Sequence, residues 1–256
     1  MIQLTIENNI ATITLNRPET YNSFNREMAF MMQDALEQCQ EQSNIRVVVI
    51  TGFGKAFCAG QDLVEVTAKD CLELDKIVTE HYNPIIEKIR KISKPVVAAV
   101  NGVAAGAGAN LALACDIVIA KESASFVQAF SKIGLIPDSG GTYFLPRIIG
   151  LQKATALLFL GDKVTAAEAE NLGMIYRCIS NVDFEKEVAS LSHKLAQMPT
   201  TALGYTKKLL QSTYDNTLEV QLNQEAMYQT QASKTLDYQE GIQAFIEKRA
   251  PVFVGK

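Results

Sequence analysis

The stretch PVVAAVNGVAAGAGANLALACDIVIA, residues 95–120, decides the fold. PVVAAV is a continuous apolar run rich in β-branched residues, the pattern of a strand buried on both faces. A loop of glycine and alanine follows. GAGANLALAC (Gly106 to Cys115) then reads as a small-residue helix, and DIVIA as a further buried strand. Strand, glycine-rich turn, helix and strand in succession predict an α/β core. The pattern recurs upstream, where RVVVITG (Arg46 to Gly52) is a buried strand and GKAFCAGQD is a glycine-punctuated loop opening a short helix. IQLTIEN and IATITLNRP alternate apolar and polar residues on either side of Asn8-Asn9, which predicts a β-hairpin. Helical spacing runs from Asn25 through Leu36 and again from Leu72 to Ile92. Leu151–Leu160 and Thr165–Leu172 read as helices, the second capped by Thr165 and closed by Gly173. From about Phe184 onward nearly everything has helical period. The expected organisation is a core over residues 1–195 and a helical C-terminal region over 196–256, docked on the core or on a second subunit.

Composition narrows the function classes. Of the 256 residues 48% are apolar and 20% charged, as in ordinary soluble enzymes. A net charge of −4 with scattered Lys and Arg argues against a nucleic-acid surface. No apolar run reaches the ~18 residues that span a bilayer, and MIQLTIENN lacks the regions of a signal peptide. Cys39, Cys58, Cys71, Cys115 and Cys178 form no CxxC pair and are odd in number. They read as reduced thiols of a cytoplasmic protein.

IGLIPDSGGTYFLPR (Ile133 to Arg147) contains DSGG, letters that also surround the nucleophilic serine of trypsin-like proteases. Such a serine needs a histidine base. His81 and His193 both fall in helical patterns and read as exposed, so Ser139 is not expected to be a nucleophile. Asp138 has two readings from the residues alone: a helix N-cap after Pro137, or a working carboxylate. Cys58 has nothing basic beside it in sequence and reads as a packed side chain.

The loops AFCAGQD and NGVAAGAG each bring backbone N–H groups to a helix start, where they can hold negative charge. Neither has the spacing of a dinucleotide or P-loop motif. Together with NRPETYNSFN, AFCAGQDL, AVNGVAAGAGANLALACD, FSKIGLIPDSGGTYFLPRIIG and EGIQAFIEKRAPVF in order, they give a chain that closely resembles the crotonase, or enoyl-CoA hydratase/isomerase, superfamily over essentially its full length. Within it, FCAGQDL, AAGAGA, GLIPDSGGT and EGIQAFIEKR look most like the ring-opening isomerases of bacterial phenylacetate degradation, which convert an epoxide of phenylacetyl-CoA into an oxepin.

The resemblance implies an α/β spiral of four turns of ββα units with a helical C-terminal trimerisation region, assembled as a homotrimer or dimer of trimers. It implies an acyl-CoA thioester as substrate, no other cofactor and no metal. The thioester oxygen would lie between the amides of Gln61 and Ala107. Ala59, Gly60, Asp62, Leu63, Phe130, Pro137, Phe245 and Lys248 would contact substrate or CoA, with Asp62 orienting its loop. The two glutamates with which the family's hydratases activate water fall on Asn110 and Phe130, so both carboxylates are missing. With them absent, Asp138 is read as the catalytic group, in an apolar pocket suggested by Phe130, Leu135 and Ile136. One carboxylate suits an isomerase that moves a proton between carbons, acting on the epoxide or on a 3-enoyl thioester. A hydratase-like or dehalogenase-like member and a non-catalytic CoA-binding member are the alternatives.

Overall fold

The computed structural model describes residues 1–67 and 72–256, so Cys71 lies outside the described residues. Among the described residues ten strands form two sheets. β1 (Ile2–Glu7) and β2 (Ile10–Leu15) are the expected hairpin. Asn8 and Asn9 both take positive φ, 50° and 65°, as a two-residue turn of matching twist requires. β2 then pairs in parallel with β3 (Val47–Gly52), which continues through β5 (Val96–Val100), β7 (Ile117–Lys121) and β10 (Arg177–Ile179). The order of this larger sheet is β1-β2-β3-β5-β7-β10.

The continuous apolar runs follow from what covers this sheet. Val48, Ile50, Val96, Ala98 and Val118 face the main core, where Met28, Met32 and Leu36 of the helix Arg26–Glu41 also pack. Val47, Val49, Val97, Ala99 and Ile119 face the other way, under Phe184 and Ala196 of the helix Phe184–Ala196. A strand covered on both faces has no polar side to alternate with.

The strands of the smaller sheet were implied by the resemblance but not read from the residues. β4 (Ala56–Cys58), β6 (Val103–Ala105), β8 (Ser125–Val127) and β9 (Lys163–Thr165) make it, in that order, each three residues long. AFC and VAA, read above as loop, are therefore strands. Each of β3/β4, β5/β6 and β7/β8 places one strand in either sheet before the chain turns into helical structure. β9, the helix Ala166–Asn171 and β10 complete a fourth turn. This is the expected spiral. The helix Ala166–Asn171 starts on a capping box between Thr165 and Glu168, and Gly173 follows it at φ +70°.

The helical pattern Leu72–Ile92 is not one α-helix. A short helix Leu74–Lys76 leads into a π-helical turn, Ile77–Tyr82, and then the α-helix Asn83–Lys91. Pro84 brings no N–H and crowds the preceding turn, which here widens instead of kinking. His81 sits in that turn and is 1% exposed, against the expectation of an exposed helix histidine. Its ring meets Phe30 edge-on and lies 3.4 Å from Arg26 Nη1. His193 is exposed, as expected.

The C-terminal helices differ in how they dock. Thr200–Ser212 is fixed to the core by polar contacts: Lys207 Nζ pairs with Asp116 Oδ2 at 2.8 Å and donates to the Ile89 carbonyl at 2.8 Å, and Gln211 donates to the Arg90 carbonyl. Arg46, at the foot of β3, donates to the carbonyls of Met198 and Phe253 and to Thr200 Oγ1. Leu218–Ala232 buries no residue, and Leu236–Glu247 buries only Asp237 and Ala244. Leu218, Leu222, Met227, Phe245 and Ile246 are left exposed. Among the described residues no helix is long and apolar enough to cross a membrane.

Candidate active site

The two glycine-alanine loops lie side by side. Gly60 takes φ +92°, and a Cβ there would come 3.0 Å from the Ala105 carbonyl and 3.5 Å from the Ala107 nitrogen. Only glycine permits that approach and that φ. The Gly60 carbonyl accepts from Phe24 N at 2.7 Å, and Asp62 N donates to the Phe24 carbonyl at 2.8 Å. Because C=O and N–H of a trans peptide point in opposite directions, the Gln61 N–H faces away from Phe24. The same holds at Ala107, the first residue of the helix Ala107–Ala114: the Gly106 carbonyl accepts from Asn110 N within the helix, so the Ala107 N–H points out of its N-terminus. Neither amide has an acceptor among the described residues. Two free, neighbouring donors, one on a helix N-terminus, can hold an oxygen on which charge develops.

Asp138 lies on the loop that follows the 3-10 turn Ala129–Ile133. It is not the helix cap. Gly140 is the N-cap residue of Gly141–Ile149, with no side-chain cap, and Ser139 (φ +51°) and Gly140 (φ +76°) are both left-handed. That double turn places Asp138 outside the helix, where its Oδ1 accepts from Ser139 Oγ at 2.9 Å. Burial pushes its carboxyl above the ordinary aspartate range, opposed by the Ser139 hydrogen bond. Ser139 is thus committed to Asp138 and has no histidine beside it.

Asn110 is fully buried and bridges the helix Ala107–Ala114 to this loop. Its Nδ2 donates to the Asp138 carbonyl at 2.9 Å, and its Oδ1 accepts from Gln128 Nε2 at 2.7 Å. Gly141 must be glycine, since a Cβ would sit 2.4 Å from Asn110 Nδ2. Phe130 is buried, with its ring edge 3.6 Å from where a Gly106 Cβ would be, beside the Ala107 amide. The positions matched to the hydratase glutamates thus carry an amide that supports Asp138 and an apolar ring.

The other expected contacts fall into three groups. Asp62 is internally spent: Oδ2 pairs with Arg17 Nη2 at 2.9 Å and Oδ1 accepts from Val64 N. It orients the loop. Ala59 and Leu63 are exposed beside it, and Pro137 is half-buried next to Asp138. Leu135 and Ile136 do not form the apolar pocket that was expected of them. Ile136 is 83% exposed and Leu135 also faces solvent, because Gly134, left-handed at φ +74°, turns the chain outward. Phe245 is 85% exposed, and Lys248 occupies the left-handed position closing Leu236–Glu247, its N–H donating to the Phe245 carbonyl; among the described residues neither hydrogen-bonds the loops of Gln61, Ala107 or Asp138. Burial pushes the Cys58 thiol up to about 12, against any nucleophilic role. Among the described residues no cluster of His, Cys, Asp and Glu could hold a metal ion.

Sequence reading missed the side chains around Gln61. Tyr82 Oη donates to Gln61 Oε1 at 2.9 Å, and Gln61 Nε2 donates to Glu65 Oε2 at 2.8 Å. The one signal available was Pro84, which interrupts the helical run just after Tyr82.

A family model described as enoyl-CoA hydratase/isomerase matches residues 5–256. The chain is 46% identical over 255 residues to 1,2-epoxyphenylacetyl-CoA isomerase of Escherichia coli, covering 98% of this chain and 97% of that protein. It is 43% identical over 255 residues to a Rhodobacter capsulatus protein named "Probable enoyl-CoA hydratase", covering 100% and 98%. Among solved structures, an enoyl-CoA hydratase from Bacillus anthracis superposes with a TM-score of 0.94 at 33% identity, covering 100% of this chain and 99% of that one. With the two-sheet spiral, the paired amides and a match along nearly the whole chain, the protein belongs to the enoyl-CoA hydratase/isomerase family, the crotonases.

Proposed function

We propose that the protein is an acyl-CoA isomerase working through one carboxylate. The thioester oxygen lies between the amides of Gln61 and Ala107, which stabilise the enolate-like state formed when a proton leaves the carbon next to the carbonyl. The Asp138 carboxylate takes that proton and returns it to another carbon of the acyl group. On a 3-enoyl thioester this moves the double bond to the 2-position. On an epoxide of phenylacetyl-CoA, Asp138 assists ring opening to the oxepin. The CoA thioester is the substrate, and no further cofactor takes part.

The observation that carries this reading is the use of Asn110. Where a hydratase would place a water-activating carboxylate, this chain has an amide bonded to the Asp138 main chain, and Phe130 stands at the second position. The proton chemistry is left to Asp138. The 46% identity to 1,2-epoxyphenylacetyl-CoA isomerase agrees with an isomerase.

Ala59, Leu63 and Pro137 line the acyl and pantetheine path in this reading. Phe245 and Lys248 meet CoA, and the exposed apolar side chains of the last two helices pack in a homotrimer. The test is a 3-enoyl-CoA in D₂O followed by NMR of the acyl carbons, with wild type beside Asp138→Asn and crotonyl-CoA as the hydration control. Double-bond migration that vanishes in the variant, without hydration, is the expected result. Hydration, or migration that survives the substitution, overturns it.

A further inference from the structure

The amide of Gln61 is held from its backbone by Phe24, but its side chain is also held, at both ends. Oε1 accepts from Tyr82 Oη at 2.9 Å and Nε2 donates to Glu65 Oε2 at 2.8 Å. Glu65 is itself fixed, since its Oε1 accepts from Arg26 N at 2.8 Å at the start of the helix Arg26–Glu41. An amide donor in an oxyanion hole needs no side chain at all, so a glutamine clamped on both polar atoms calls for a reason.

Tyr82 is the least expected member. It is 2% exposed, closes the π-helical turn Ile77–Tyr82, and packs its ring on Phe24 with centroids 6.0 Å apart. Phe24 is the residue whose N–H and C=O grip Gly60 and Asp62. One aromatic side chain therefore touches both holders of the Gln61 peptide: Phe24 through its ring and the Gln61 side chain through its hydroxyl. A π-helical turn inside an α-helix often marks a functional position, and here it delivers a phenol to the Gln61 side chain. Burial, reinforced by the acidic groups Cys58, Asp138, Glu65 and Asp62 around it, pushes the Tyr82 phenol well above its usual range. It stays a donor.

We infer that Tyr82 is a positioning residue of the oxyanion hole, which aims the Gln61 N–H at the thioester oxygen by clamping the Gln61 side chain. The inference rests on the proposed binding of a thioester at Gln61 and Ala107, but not on which reaction follows. A donor kept in place yet loosely aimed loses part of what outright removal would cost.

The test has a spectroscopic arm and a kinetic arm. The carbonyl stretch of bound [1-¹³C]phenylacetyl-CoA, measured by isotope-edited infrared spectroscopy, is expected to lie lower than that of the free thioester in wild type and to recover part of the difference in Tyr82→Phe. With a 3-enoyl-CoA, Tyr82→Phe is expected to lower kcat by about tenfold while KM moves by less than about twofold. In a Gln61→Ala background the same substitution should add nothing, since the side chain through which it acts is gone. A carbonyl frequency unchanged by Tyr82→Phe, or an equal rate loss in both backgrounds, makes Tyr82 a packing residue only. Should Tyr82→Phe fail to fold, Gln61→Ala alone must shift the carbonyl, and an unmoved band overturns the inference. No shift in wild type overturns the oxyanion site and this inference with it. A shifted band without isomerisation overturns only the proposed reaction.

Discussion

Asn110 Nδ2 donates to the main-chain carbonyl of Asp138 across 2.9 Å, so the residue matched to a hydratase glutamate holds the backbone of the carboxylate proposed to carry the proton. The Gly141 N–H reaches the same carbonyl at 2.9 Å, and the two donors together set the backbone from which the Asp138 side chain projects.

Asp138→Asn keeps the shape of the side chain and removes the carboxylate proposed to transfer the proton. kcat for isomerisation is expected to fall by about 10²–10⁴-fold, with the affinity for acyl-CoA little changed. Steady-state kinetics and calorimetric binding of a non-reacting acyl-CoA separate the two.

The raised pKa of Asp138 has a sign in stability as well. The folded protein holds this proton more tightly than the unfolded chain does. Stability is therefore lost as pH rises from the ordinary aspartate range through the raised folded value. Asp138→Asn should match wild type in melting temperature below that window and exceed it above. Activity should show the opposite trend, with kcat/KM falling as pH is lowered through a value above the ~3.9 of free aspartate. Melting curves and rate profiles across pH test both.

Asn110→Asp preserves volume but removes the donor. When ionised, the new carboxylate would set an acceptor against the Asp138 carbonyl and place a buried charge there; when neutral, it could restore the donor only by holding a proton. A loss of about 1–3 kcal/mol in urea unfolding is expected, together with reduced turnover. Gly141→Ala attacks the same contact sterically, at 2.4 Å from Asn110 Nδ2, and should also destabilise by about 1–3 kcal/mol.

Lys207→Met leaves Asp116, among the described residues, with Arg90 Nη1, at 3.6 Å, and the Val96 N–H. A loss of about 2–4 kcal/mol is expected, below what an unshared buried pair would give. Proteolysis within Thr200–Ser212 should rise in step, as the helix loses its tie to the core.

What could be read from the residues followed how much side-chain pattern each element carries. RVVVITG, PVVAAV and DIVIA announce themselves because both faces are covered, and the hairpin because Asn8 and Asn9 suit the left-handed turn. AFC and VAA are too short to show any periodicity, and their neighbouring glycines say loop, so the second sheet stayed hidden. The N-cap reading of Asp138 failed on backbone geometry: two left-handed residues intervene before the helix, and only one of them is glycine. His81 and Tyr82 were obscured for a single reason, a change of helical register that charge and hydropathy do not encode. Gln61 and Ala107 were found through resemblance, since a backbone N–H leaves no mark on the identity of its own side chain.

The buried residues of the helical segment 77–91 are Ile77, His81, Tyr82, Ile85, Ile86 and Ile89, and among them Ile77, His81, Ile85 and Ile89 recur at every fourth position. On an ideal α-helix such a stripe drifts by about 40° per step and would wind off the core within three steps. The wide turn takes up that drift as one surplus residue. Deleting a single solvent-facing residue there, such as Thr79, would give a more regular helix and a worse protein, with everything before Tyr82 rotated out of phase with the isoleucines after it.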